Sequence, residues 1–159
     1  MGIVGTALTA DCTVEVAGTP IPVTPVAIDI QPGSCPNAFN PTKKGTLPVA
    51  ILGSPTLDVR QIDVSLIRLE GIPPLRSTFG DVATPFVPIT GRTRATDCTT
   101  AGPDGFRDLV VHFDVTALRP QLGLLVNGDA RVLKLTGSLK PAAGGIPIAG
   151  EDVVLVRLK

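Results

Sequence analysis

Short runs rich in Val, Ile and Leu alternate along this chain with glycine and proline, which number 17 and 16 among 159 residues. Proline removes a backbone donor and fixes φ, and glycine weakens any helix that contains it, so long helices have little room here. β-Branched residues pack well on a pleated surface, and frequent turns fold such runs back on one another. The pattern predicts an all-β fold of about eight strands. An antiparallel β-sandwich, Ig-like or jelly-roll-like, with one or two short helical turns accounts for it best. A closed barrel is the alternative. Gly and Pro make up about a fifth of the chain, below the roughly 25–30% that marks disorder.

Residues 1–20 form an apolar segment that opens with ten uncharged residues, MGIVGTALTA, and continues into a strand-like TVEVA at 13–17. Residues 21–159 form the domain proper. Strands are expected at 26–30 (VAIDI), 47–52 (LPVAIL), 65–70 (SLIRLE), 108–114 (DLVVHFD), 131–136 (RVLKLT) and 153–158 (VVLVRL). The clearest is 108–114, where Leu109, Val111 and Phe113 face the core and Val110, His112 and Asp114 face away. Asp58 starts a single helical turn, and Asp114 or Thr116 starts another, since these side chains accept from free N–H groups at a helix start. Residues 71–80, rich in proline, read as a loop.

Fourteen acidic and fourteen basic residues cancel, with no basic block and almost no aromatic side chains, which excludes the usual nucleic-acid footprint. No apolar run approaches the roughly 18 residues of a membrane helix. Cys12, Cys35 and Cys98 lack the CxxC spacing of a zinc site, and there is one histidine. One disulfide with one odd cysteine is the simplest reading, and three buried thiols are the alternative. His112 shares a strand face with Asp114 and has no nucleophile motif such as GxSxG beside it, so it reads as a surface histidine. With three glutamates and no paired acids at informative spacing, no catalytic residue is assigned.

Asp104-Gly105-Phe106-Arg107-Asp108 has the form of half a calcium loop. An acid precedes a turn-forming glycine and a second acid follows three positions later. Ca2+ takes six to eight oxygen ligands, which such loops supply from alternate residues. Thr100 and Gly102 stand where further acids would complete the loop, so ligands from elsewhere are needed. Asp97 and backbone carbonyls would add to it, with Asp29, Asn37, Asn40 and Asp81 as the distant candidates, giving a composite site that ties remote segments together.

Three blocks, AIDIQPGSCPNAFNPTKKGTLPVAILGS with LDVRQID, DVATPF, and DCTTAGPDGFRDLVVHF, resemble a recurrent module of secreted bacterial and archaeal proteins. A Thr136-Gly137 turn and the pattern from Ile148 to Asp152 extend the likeness across residues 26–158. The resemblance implies secretion and an association with calcium-type loops, and it implies no known activity.

These features point to an extracellular, cell-surface structural protein. Calcium would stiffen its loops, and the apolar N-terminal segment would be donated to a sheet edge of another copy. A homo-oligomer, filament or surface layer would result. The competing expectation is a non-catalytic spacer or binding module for polysaccharide, weakened by the absence of Trp and Tyr.

Overall fold

A computed structural model describes residues 22–158. The apolar residues 1–10, the strand expected at 13–17 and Cys12 lie outside the described residues. The rest is all-β, in two sheets. The first contains β2 (Ile28–Ile30), β4 (Thr46–Ile51), β7 (Asp108–Asp114) and β6 (Arg76–Gly80), in that order and with antiparallel neighbours. The second runs β1 (Thr24–Pro25), β9 (Pro147–Val156), β8 (Ala130–Ser138), β5 (Arg68–Leu69), and β3 (Ala38–Phe39) also pairs with β9. β1 and β3 lie parallel to β9, whereas β8 pairs antiparallel with both β9 and β5.

One apolar cluster draws on both sheets. Ile28, Ile30, Val49, Ile51, Leu109, Val111 and Phe113 come from the first, and Phe39, Leu69, Leu133, Leu135, Ile148 and Val154 from the second. Alternation along β7 works as expected, with Leu109, Val111 and Phe113 at 0–1% exposure. Full burial of each such side chain is worth about 1.5–3 kcal/mol. Val110, on the opposite face, is covered as well, packed with Ala50, Leu52 and Ala83 in a second small cluster beneath the loop that follows β6. The chain crosses from β1 to β2 directly over β9. A Cβ on Gly150 would stand 2.8 Å from the Val26 carbonyl oxygen and 2.7 Å from Ile28 Cγ2, so only glycine allows this close approach.

The local signals hold where a carboxylate organises them. Asp58 accepts the Arg60 N–H at 3.0 Å and starts the 3-10 turn Val59–Gln61. Asp114 accepts the Thr116 N–H at 3.0 Å and starts α1 (Val115–Leu118). The strand expected at 65–70 is mostly replaced. Asp63 accepts both the N–H and the hydroxyl of Ser65, at 3.1 and 2.6 Å, and draws Val64–Leu66 into a second 3-10 turn. Only Arg68–Leu69 remain as strand. Residues 76–80, expected within a loop, form β6. β9 begins at Pro147 rather than 153 and is ten residues long, nine of them paired with β8.

Candidate functional site

The segment joining β6 to β7, residues 81–107, carries no strand and is held down at two polar clusters and one disulfide. Cys35 and Cys98 form that disulfide, bridging 63 positions of sequence with Cα atoms 5.5 Å apart. A link closing a loop of this size stabilises by about 4 kcal/mol on chain-entropy grounds.

The first cluster sits where β6 and β7 begin and end side by side. Asp81 directly follows β6, and Asp108 opens β7 opposite Gly80. Asp104 reaches them because the turn through Gly105, at φ 93°, folds residues 103–107 back. Ligand atoms of Asp81, Asp104 and Asp108 all lie within 4.8 Å of one another, close enough to hold a metal ion. Each carboxylate is also fixed from behind by backbone N–H groups. Asp81 accepts from Asp104 at 3.0 Å and Gly105 at 2.7 Å, and Asp104 accepts from Phe106 at 3.0 Å. Asp108 is fully buried and accepts from Gly53 at 3.0 Å, Val82 at 2.8 Å and Ala83 at 3.3 Å. Gly53 is needed there, since a Cβ would collide with the Arg107 carbonyl. Burial pushes the Asp108 carboxyl up. The N–H groups of Val82, Gly53 and Ala83 oppose that push, and the Asp104 charge adds to it.

Three acids in contact repel one another, and hydrogen bonds from neutral amides offset that only partly. Among the described residues two ion pairs occur, Arg60–Asp58 and Arg92–Asp152, and neither reaches this cluster. The donor set is all oxygen, the preference of hard cations such as calcium or magnesium.

The second cluster is deeper. Asp152, in the middle of β9, is fully buried beside Asp29 of β2, Asn37 and Arg92. Arg92 Nη1 meets Asp152 Oδ1 at 2.8 Å, with both side chains at most 2% exposed. Asp152 also accepts from the N–H groups of Ile30 and Val153 at 2.8 Å each, and from Asn37 Nδ2 at 3.2 Å. The other guanidinium donors reach the carbonyls of Pro88 and Phe86. Asp29 Oδ2 and Asn37 Oδ1 are buried without a hydrogen-bond partner. Burial raises the Asp29 carboxyl to about 7, the Asp152 charge adds to this, and Arg92 opposes it. Burial likewise raises Asp152, against the N–H groups of Ile30 and Val153 and against Arg92.

Of the seven residues picked out as candidate ligands, Asp81, Asp104 and Asp108 therefore come together. Asp29 and Asn37 belong to the arginine-centred cluster. Asp97 closes its own turn, accepting from Thr93 and Arg94 at 3.0 and 2.9 Å, bonds that lower its carboxyl. Asn40 accepts from the Thr42 N–H at 2.9 Å within the 40–43 turn. Arg92 and Asp152 were missed. A lone acid inside the apolar run of β9 is the visible signal for Asp152, and Arg92 has none, being one of several polar residues in a loop.

An apolar cleft of about 410 Å3 opens between Thr24–Ala27 and Leu52–Leu57, lined by no ionisable side chain. His112, half-buried, pairs with Pro48 and Arg76 across the sheet. No protein-family model matches the chain, and neither does any curated protein or solved structure.

Proposed function

We propose that this chain is a non-catalytic, extracellular structural protein built as a β-sandwich. It binds Ca2+ at Asp81, Asp104 and Asp108 and self-associates through its apolar N-terminal segment. The observation that carries the reading is the cluster of three carboxylates, preorganised by backbone N–H groups and joined by no ion pair among the described residues. It lies at the foot of a 27-residue segment, 81–107, that a disulfide and a buried arginine also pin. Three ties make the segment rigid, which suits a structural surface protein. The disulfide agrees with an oxidising, extracellular setting, and the described residues contain no helix long and apolar enough to cross a membrane.

Thermal melting in calcium and in chelator tests the metal. An ion that binds only the folded state stabilises by roughly 2.7 kcal/mol at a hundredfold excess over its dissociation constant. At about 3 °C per kcal/mol for a domain of this size, the melting point rises by several degrees. An unchanged melting point removes calcium from the reading. Electron microscopy of the purified protein tests assembly.

A second reading, recognition of polysaccharide, gains one observation. Phe79 and Phe106 are 48% and 39% exposed beside the acidic cluster, and aromatic faces of this kind support sugar stacking. A glycan array run with calcium separates the readings, since a purely structural module gives no signal.

A further inference from the structure

We infer that β6 is the edge on which a second copy of this chain seats residues 3–8, Ile-Val-Gly-Thr-Ala-Leu. This rests on the self-association proposed above and assigns its acceptor.

Among the described residues, the other sheet margins are blunted. β2 is buried throughout, its Ile30 N–H donates to Asp152 and its Ile28 carbonyl faces Arg92. β1, β3 and β5 are two residues each, and β1 contains Pro25, which has no N–H to offer. Beyond β5 the exposed side of β8 is blocked at Lys134, whose N–H goes to the Glu70 carboxylate at 2.7 Å. β6 differs. Its five residues pair with β7 on one side, and no side chain or loop among the described residues bonds the other side. An edge of this length, with Arg76 as the single charge within it and Arg107 set 5.9 Å from the Phe79 ring centroid, is a template for strand addition.

The core is also unfinished there. Directly paired residues in a sheet point to the same face, so Ser77 and Phe79 share the face of Val111 and Leu109. Those two partners are 0% and 1% exposed, yet Phe79 is 48% exposed, and Leu75 just before the strand is 60% exposed. A strand laid along β6 would extend the apolar layer over Phe79. Residues 3–8 span about 20 Å when extended, which matches a five-residue partner. They are uncharged and alternate Ile3 and Ala7 with Val4 and Leu8, so either register presents apolar side chains to Phe79.

The sheet order sets the donor's exit and the acceptor on different margins. The described chain enters through β1 into β2, and β2 stands at the opposite edge of its sheet from β6. A donor leaving one margin and an acceptor on the other give head-to-tail contacts, which add without closing. Thirteen residues, 9–21, reach about 45 Å when extended, enough to bridge neighbours.

Two variants split the molecule into halves of this interaction. Deletion of residues 2–10 leaves an acceptor without a donor. Phe79→Lys places an inward-pointing charge on the edge and leaves a donor without an acceptor. Light scattering should find each variant monomeric while the parent chain assembles. A mixture of the two should double in mass to a one-to-one dimer and grow no further. If Phe79→Lys assembles like the parent, or if the mixture stays monomeric, the assignment of β6 falls while self-association survives. If the deletion assembles like the parent, donation by residues 3–8 falls and β6 as its acceptor with it, and a parent that is itself monomeric removes self-association altogether. Melting curves check that each variant folds. Should Phe79→Lys melt well below the parent, Ser77→Lys, at an exposed position of the same edge, repeats the experiment.

Discussion

The two acidic clusters of this protein solve one problem in opposite ways. Each pins the 81–107 segment to the sheets with carboxylates, and each gathers more negative charge than amide donors neutralise. The Asp152 cluster brings its own cation. Arg92 enters from the segment and fills the site on folding, leaving one buried carboxyl, Asp29, in excess. The Asp81–Asp104–Asp108 cluster has no ion-pair partner among the described residues and is half-open to solvent at Asp81 and Asp104. The first is therefore closed to the solution except through protons. The second is open to a cation from the solution.

The largest expected effect comes from removing the internal cation. Arg92→Met keeps much of the side-chain volume but leaves Asp152 unpaired at 1% exposure. Breaking a buried pair in this way costs about 3–5 kcal/mol, read as a lower midpoint in chemical denaturation. Calcium should not restore the loss. If it does, the two clusters are not independent and the comparison fails.

The excess carboxyl gives the next effect, and its sign is fixed. Asp29 stands at about 7 in the folded chain, against about 3.9 when unfolded. Between those values the folded chain holds a proton that the unfolded chain has released. The contribution of Asp29 is thus full below about pH 4 and is lost as pH rises to about 7. At about 1.4 kcal/mol per unit the span reaches at most about 4 kcal/mol. Asp29→Asn imitates the protonated acid, so it should stabilise by about 2–4 kcal/mol at pH 8 and flatten this slope. A residual slope of the same sign remains from Asp108 and Asp152, which burial also raises. An unchanged pH profile in this variant would mean that Asp29 stays ionised in the fold.

The legibility of these features followed how local their causes are. β7 was readable because its alternation and its burial agree residue by residue. The Asp58 and Asp114 turns were readable because the carboxylate and the N–H it accepts lie two residues apart. β6 was not, since an edge strand with exposed side chains shows no burial pattern and Pro73-Pro74 mark a loop just before it. The alternation over 65–70 is real, Ile67 and Leu69 being buried, but the Asp63 cap outweighs strand pairing at 64–66 and leaves a shorter strand than the pattern implies. The meeting of Asp81 with Asp104 and Asp108 was legible as an idea of a composite site, but not the exclusion of Asp29 and Asn37. Asp29 and Asp108 lie on different strands of one sheet, and only the path of residues 81–107 decides which cluster each joins. Arg92 had no local signal at all, because its partner is 60 positions away.

The smallest effects sharpen the solvent-facing cluster by separating a fastener from a ligand. Asp108→Asn offers one acceptor oxygen where Gly53 on one side and Val82 with Ala83 on the other use both. It should lose about 1–3 kcal/mol even in chelator, and in calcium the loss of a charged ligand adds to this. Asp104→Asn keeps an acceptor for the Phe106 N–H and sits nearer the surface, so in chelator it should change stability by under about 0.5 kcal/mol. In calcium it should lose most of the rise in melting temperature, because an amide brings no charge to the ion. Asp97→Asn, altered in a turn of its own, should leave the calcium response whole. These three variants, melted side by side with and without calcium, give each acid a distinct signature. Should Asp104→Asn keep the full response, the ion is held elsewhere, and the three carboxylates are fasteners only.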